Sequence, residues 1–306
     1  MVQLGISAFY HDSAAAIIED GKVIAAAEEE RFTGIKHDYS FPINSIKWCL
    51  SKAGKSIYNI NEVHWYETPE KKDDRVSTTF AKKPFRTFFL NRKYKKSKSS
   101  QDPKNILESM GYTGKIYYHG HHDSHAAFAY YTSDYDHSAI LTVDGVGEWE
   151  TTTISIGIGK EIRKILSIDF PNSLGMLYST ITSFLGFKPN EGEYKVMGLA
   201  PYGNAAKYKD SLKSIFDNTS NKFTIDQKCF TWEYSDKIMF NKNLCRLLDL
   251  APRLPGEEIT QSHKDLAAAL QLVYEEQFLK LLKVAKNISK SDNICLGGGC
   301  AYNGVA

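Results

Sequence analysis

The sequence predicts a mixed α/β fold organised in two lobes, and three observations carry that expectation. The chain opens with three strand-length runs at residues 2–8, 14–19 and 22–28. Further strand-like runs then alternate with segments whose apolar residues recur at helical spacing, as layered α/β folds require. At 306 residues the chain is long enough for about two domains.

Each element follows from its residues. Tyr10-His11-Asp12-Ser13 forms a polar turn after the first strand, and Glu19-Asp20-Gly21 carries the Asp-Gly pair of a hairpin. Residues 41–53 are helical, with Ile43, Ile46, Trp48, Cys49 and Leu50 at helical spacing, and a strand follows at 62–67. The apolar run 138–143 ends in Asp144-Gly145-Val146-Gly147, and 151–158 pairs with 162–168 across Gly159-Lys160. A second lobe begins near Phe170, which divides the chain into 1–168 and 169–306. In that lobe 174–186 is helical, 191–203 is a glycine-containing functional loop, and 204–250 is less regular. Residues 264–287 form a long amphipathic helix through Leu266, Leu270, Val273, Phe278, Leu281 and Val284. The last strand, from Ile294, runs into Gly297-Gly298-Gly299.

Composition narrows the function classes. With 42% hydrophobic and 24% charged residues, the chain reads as a soluble globular protein. A net charge of +2 is too near balance to imply a nucleic-acid or membrane partner for the whole molecule. Five cysteines without a Cys-x-x-Cys pair indicate neither a disulfide framework nor a zinc ribbon, and a reduced cytoplasmic setting fits them. No basic leader opens the sequence and no apolar run approaches membrane-spanning length, so secretion and membrane insertion are not expected. Locally, Lys82, Lys83, Arg86, Arg92, Lys93, Lys95, Lys96 and Lys98 interleave with Phe85, Phe88, Phe89 and Tyr94 without one acidic residue. That segment reads as a nucleic-acid groove, as a lid over an anionic substrate, or as a solvated insertion.

The chemistry concentrates in His121-His122-Asp123-Ser124-His125 and in Asp144. On a helix, residues four apart share a face, so His121 and His125 aim at one ion while His122 points elsewhere. A carboxylate at a strand end followed by flexible glycines completes a three-ligand site. Mixed imidazole and carboxylate ligation suits iron or zinc, with manganese as a further choice. A solvated helix start, with Asp144 merely opening a turn, is the alternative. Gly297–Gly299 suits close backbone approach of a nucleotide, or else a tight structural turn.

Seven runs in order resemble the carbamoyltransferase family that includes nodulation and antibiotic-tailoring O-carbamoyltransferases. They are residues 10–16 (YHDSAAA), 28–37 (EEERFTGIKH), 121–127 (HHDSHAA), 143–147 (VDGVG), 173–179 (SLGMLYS), 194–203 (YKVMGLAPYG) and 297–303 (GGGCAYN). The resemblance implies an α/β, actin-like ATPase fold with two ribonuclease-H-like lobes around a cleft, similar to the domain that installs threonylcarbamoyl groups on transfer RNA. It also implies a following domain that makes carbamoyl-adenylate from ATP and carbamoyl phosphate. That domain, a fourth metal ligand supplied by a downstream aspartate, and the end of the second lobe are all expected to be missing, so the chain is expected to be inactive alone.

Carried over by position, the resemblance makes His121, His125 and Asp144 ligands of a divalent metal, iron first, with zinc or manganese as alternatives and magnesium accompanying ATP. His11 resembles the active-site histidine at the acceptor hydroxyl, and Lys36 a nucleotide-phosphate contact. Asp144, Gly145, Gly147, Gly175, Gly297, Gly298, Gly299 and Asn303 would shape the nucleotide site. Asp12 and Lys195 would contact substrate, Lys195 at an anionic oxygen, while His37 is left open between site and surface. Carbamoyl-adenylate is a mixed anhydride with AMP as leaving group, and an imidazole of ordinary pKa near ~6.5 can take the acceptor's proton. A structural turn residue is the alternative for His11. The expected partners are ATP, carbamoyl phosphate and a sugar-like or natural-product hydroxyl, with no membrane, no nucleic acid expected and a homodimer left open. The rival functions are a small-molecule kinase of the same superfamily and a non-catalytic nucleotide- or RNA-binding module.

Overall fold

The computed structural model describes residues 1–82, 87, 94, 102–218, 221–235 and 238–306. Of the basic segment, Lys83, Arg86, Arg92, Lys93, Lys95, Lys96 and Lys98, with Phe85, Phe88 and Phe89, lie outside the described residues. The chain forms two compact units, one of residues 1–77 and 84–121, the other of 78–83 and 122–306.

In the first unit, β1 (Val2–Ser7) pairs antiparallel with β2 (Ala14–Glu19), and β2 pairs antiparallel with β3 (Lys22–Glu28). Asp20 and Gly21 both hold positive φ, 50° and 79°, which is what a two-residue primed hairpin turn demands and what Asp-Gly supplies. β4 (Glu62–Trp65) adds parallel to β1, and β5 (Lys115–Tyr118) parallel to β4. Alternate residues of β1 are buried, the period of a strand with one covered face. Leu4, Ile6 and Ile17 meet Ile46, Cys49 and Leu50 of the helix Ile43–Lys52 in one apolar core with Val63, Trp65 and Leu107.

That helix starts without a side-chain cap of its own. Instead the buried Glu29 carboxylate accepts from the backbone N–H groups of Asn44 (3.1 Å) and Ser45 (2.8 Å), the Asn44 amide (2.7 Å) and the Ser45 hydroxyl (2.8 Å). A negative charge at a helix start satisfies donors that have no intrahelical partner.

The second unit repeats the scheme. β6 (His137–Val143), β7 (Glu150–Ile158) and β8 (Glu161–Asp169) form an antiparallel meander. A small ribbon of β9 (Phe216–Asp217) and β10 (Thr224–Ile225) follows, and β11 (Ile294–Gly297) returns parallel to β6. The sheet orders are β3-β2-β1-β4-β5 and β8-β7-β6-β11, the same order with no described counterpart of β5 in the second. This duplicated order is the ribonuclease-H-like arrangement of an actin-like ATPase fold. The 29-residue helix Gln261–Ser289 packs Leu266, Leu270, Val273, Phe278 and Leu281 into a core with Ala139, Leu141, Val143 and Ile154.

The units therefore part at His121, whereas the expected division lay at residue 168, between β8 and the helix Leu174–Phe184. Burial decides this, because β6 and β7 share the core of the long helix. Residues 191–203, expected as a loop, hold the helix Glu193–Leu199 and a 3-10 turn Ala200–Tyr202. The Glu193 carboxylate accepts from the N–H groups of Asn190 (2.9 Å) and Gly192 (3.1 Å), and Val196 is buried, so the helix forms between Gly192 and Gly203 although Gly198 lies within it.

Candidate functional site

The helix His121–Tyr131 carries His121 and His125 one turn apart, and β6 delivers Asp144 to the same place. One ligand atom from each of the three lies within 4.8 Å of the others, and all three residues are half-buried. His125 Nε2 is 2.9 Å from Asp144 Oδ2, while Asp144 Oδ1 accepts from Gly145 N–H at 2.7 Å. His122 is buried on another face, with Nδ1 2.6 Å from the Thr142 hydroxyl and Nε2 3.0 Å from Glu150 O. Both its nitrogens are used by β6 and β7, as helical spacing predicts. Two imidazoles and a carboxylate on rigid elements are a donor set that fits iron, zinc or manganese.

Close backbone packing sets this geometry. Asp144 N–H donates to Thr151 O and Gly147 N–H to Glu150 O, each at 2.9 Å, so β6–β7 pairing continues past the carboxylate. The Ser173 hydroxyl caps Leu174–Phe184 by accepting from Met176 N–H at 3.0 Å, and lies 2.6 Å from Gly145 O. A Cβ on Gly175 would fall 2.8 Å from Asp144 O and from Gly145 N, so only glycine lets this helix reach the turn. At the end of β11, a Cβ on Gly297 would lie 3.0 Å from His125 O, and one on Gly299 3.3 Å from Asp144 Oδ1. Gly298 has φ +86°, and its Cβ would lie only 2.3 Å from Val143 O. Gly175, Gly297, Gly298 and Gly299 thus pack against Asp144, His125 and Val143, beside two of the three residues that could hold an ion.

Two other expected residues have occupations of their own. The Asn303 amide pairs reciprocally with Gln271 at 2.9 and 3.0 Å. Lys195 Nζ lies 5.9 Å from the Phe187 ring centroid and 5.8 Å from that of Tyr194. Cys300, a residue outside the sequence-based expectations, has its thiol raised above its ordinary range by burial and by the nearby Asp144 carboxylate. Its place directly after the three glycines was the available signal.

In the first unit the β1–β2 turn holds His11 and Asp12. His11 Nδ1 is 2.7 Å from Asp12 Oδ2, and His37 Nδ1 is 2.8 Å from Asp12 Oδ1. Burial alone would raise the Asp12 carboxyl, but the hydrogen bonds from His37 and His11 outweigh it and hold the group below its ordinary value. The His11 ring is 46% exposed, enough to meet a substrate, and Lys36 stands exposed beside His37. His37 is the residue the sequence left undecided, because no local pattern relates it to a residue 25 positions earlier.

Residues 2–306 match the family model described as carbamoyltransferase N-terminus. An uncharacterized protein of Synechocystis sp. is 39% identical over 99% of this chain and 51% of its own length. Nodulation protein NolNO of Sinorhizobium fredii is 32% identical over 96% of this chain and 41% of its own length. The chain thus spans about half the length of the curated relatives it matches. Among solved structures, component A of (R)-2-hydroxyglutaryl-CoA dehydratase from Acidaminococcus fermentans is similar over 99% of this chain and 85% of that one, at 14% identity and a TM-score of 0.45.

Proposed function

Because the chain belongs to the carbamoyltransferase family, we propose that it is the domain that moves a carbamoyl group from carbamoyl-adenylate onto a hydroxyl of a sugar-like or natural-product acceptor. The observation that carries this reading is the convergence of His121, His125 and Asp144, residues spread over two elements, in a protein of this family. His11 takes the acceptor proton on Nε2, which makes no hydrogen bond among the described residues. The acceptor oxygen then bonds the carbamoyl carbon, the carbon–oxygen bond to the phosphate breaks, and AMP leaves. A divalent ion on His121, His125 and Asp144, with iron the first choice and zinc or manganese the others, would supply Lewis acidity toward an oxygen of the nucleotide. Lys36 and Lys195 offer cations for its anionic oxygens, and the backbone around Gly145, Gly147, Gly175 and Gly297–Gly299 offers N–H groups to AMP.

The test supplies the full-length protein with ATP, magnesium, carbamoyl phosphate and a panel of hydroxyl acceptors. Pyrophosphate and AMP from ATP, orthophosphate from carbamoyl phosphate and a carbamate ester are expected, whereas a kinase would release ADP and a binding module nothing. His11→Asn abolishes transfer and keeps nucleotide binding; normal transfer in that variant refutes the base.

A further inference from the structure

We propose that His37 is a positioning residue for His11: through the Asp12 carboxylate it holds the His11 ring with the proton on Nδ1 and the lone pair on Nε2. The inference deepens the proposed function, since it rests on His11 as the base, but its geometry stands apart from the acceptor and the nucleotide.

The Asp12 carboxylate bridges two imidazoles, one on each oxygen, at 2.7 and 2.8 Å. An ionised carboxylate only accepts hydrogen bonds, so the ring nitrogen facing each oxygen carries the proton. With Nδ1 of His11 protonated, its neutral ring presents Nε2 as the base. Free imidazole side chains favour the opposite tautomer, so the turn selects the reactive one. A carboxylate bonded through one oxygen can rotate about its own axis. The bond from His37 to the second oxygen removes that freedom, and so fixes the ring beyond it.

The surroundings hold this arrangement at some cost. Asp12 (φ +48°) and His37 (φ +56°) both adopt left-handed backbone, which is unfavourable for a residue with a side chain. Such strain persists only where neighbours over-determine it. Here Phe9 N–H bonds Tyr39 O and Ser13 N–H bonds Asp38 O, each at 2.8 Å, stitching the two loops together on both sides of Asp12. His37 N–H donates to the Glu30 carboxylate at 2.9 Å, so the histidine is anchored by its backbone while its ring serves Asp12. In the transfer step the acceptor proton passes to His11 Nε2, and the imidazolium so formed keeps its Nδ1–H on the anionic Asp12. The half-exposed ring then returns the proton to water.

The experiment is nitrogen NMR of ring-labelled histidines in the parent chain and in His37→Ala, His37→Gly and His37→Asn. The parent shows neutral His11 with the proton on Nδ1. His37→Ala shifts His11 toward the Nε2–H form, and His37→Gly does the same while relieving the left-handed backbone, which separates loss of the donor from relief of strain. Asparagine keeps an N–H at the reach of Nδ1 and tolerates that backbone, so His37→Asn restores the tautomer. In the full-length protein the glycine variant lowers kcat about tenfold with KM unchanged, a part of what a general base contributes, and the asparagine variant recovers most of it. An Nε2–H tautomer in the parent, or an unchanged tautomer in both the alanine and glycine variants, overturns the proposal. If the parent transfers no carbamoyl group to any acceptor, the proposed function fails, while the tautomer measurement still decides the role of His37.

Discussion

Gly298→Ala tests how tightly the end of β11 is held against the end of β6, next to Asp144. Two penalties meet there: a left-handed φ of +86°, and a Cβ that would fall 2.3 Å from Val143 O, a backbone atom that cannot swing aside. The first costs roughly 1–3 kcal/mol, because ψ 160° puts Gly298 in a region open essentially to glycine alone; overpacking costs roughly 1–3 kcal/mol, and the stiffer unfolded chain returns about 0.4–1 kcal/mol. The net is a loss of roughly 1–5.6 kcal/mol, or a melting temperature lower by roughly 2–22 °C for a unit of this size. Two further substitutions in the same unit separate the penalties. Gly159 has φ +57° and open space around its Cβ, so Gly159→Ala carries strain alone, about 0–1.5 kcal/mol. Gly175, with no positive φ but atoms at 2.8 Å, carries crowding alone, about 0–2.6 kcal/mol once the unfolded-chain return is included. Thermal and urea unfolding of the three variants should rank Gly159, Gly175, Gly298 in rising order of damage, with faster amide exchange around Val143 and Asp144 in the last. A Gly298→Ala protein as stable as Gly159→Ala would refute the reasoning that the backbone of β11 is locked against β6.

Other outcomes follow from named contacts. His121→Ala and Asp144→Ala should each lower the divalent metal retained by purified protein, measured by elemental analysis, and unchanged content in both would remove the site. Glu29→Gln keeps the shape but loses the charge that receives four donors, which should cost about 2–3 kcal/mol in urea unfolding; a loss under ~0.5 kcal/mol would mean that water replaces the contacts. Hydrogen bonds from the Ser40 side chain, then from Ser40 N–H and Thr33, outweigh burial and hold the Asp38 carboxyl below its ordinary 3.8. Its folded pKa is thus the lower one, so its stabilisation is complete above 3.8 and lost as pH falls through the depressed value. Asp38→Asn should therefore be less stable than the parent at pH 7 and converge on it in acid, by urea midpoints. A gap that persists in acid would assign the loss to packing.

The sequence by itself determined much of the local order. Strand-length runs marked β1 to β3, Asp20-Gly21 marked the hairpin, and helical spacing set His121 and His125 on one face with His122 turned away. These are local effects of backbone period and turn chemistry, which a run of residues carries wherever it folds. What lay between remote segments was decided by tertiary packing. The division at His121 comes from β6 and β7 sharing a core with Gln261–Ser289, and no window of sequence contains both. The glycines at the end of β11 read as a place for close backbone approach, and only packing brings them against Val143 O, His125 O and Asp144 Oδ1. The partnership of His37 with Asp12 spans 25 residues and two left-handed turns, and it exists because backbone bonds to Tyr39 and Asp38 bring the loops together. Period and turn chemistry act over a few residues, whereas the position of a carboxylate between two imidazoles depends on which surfaces bury each other.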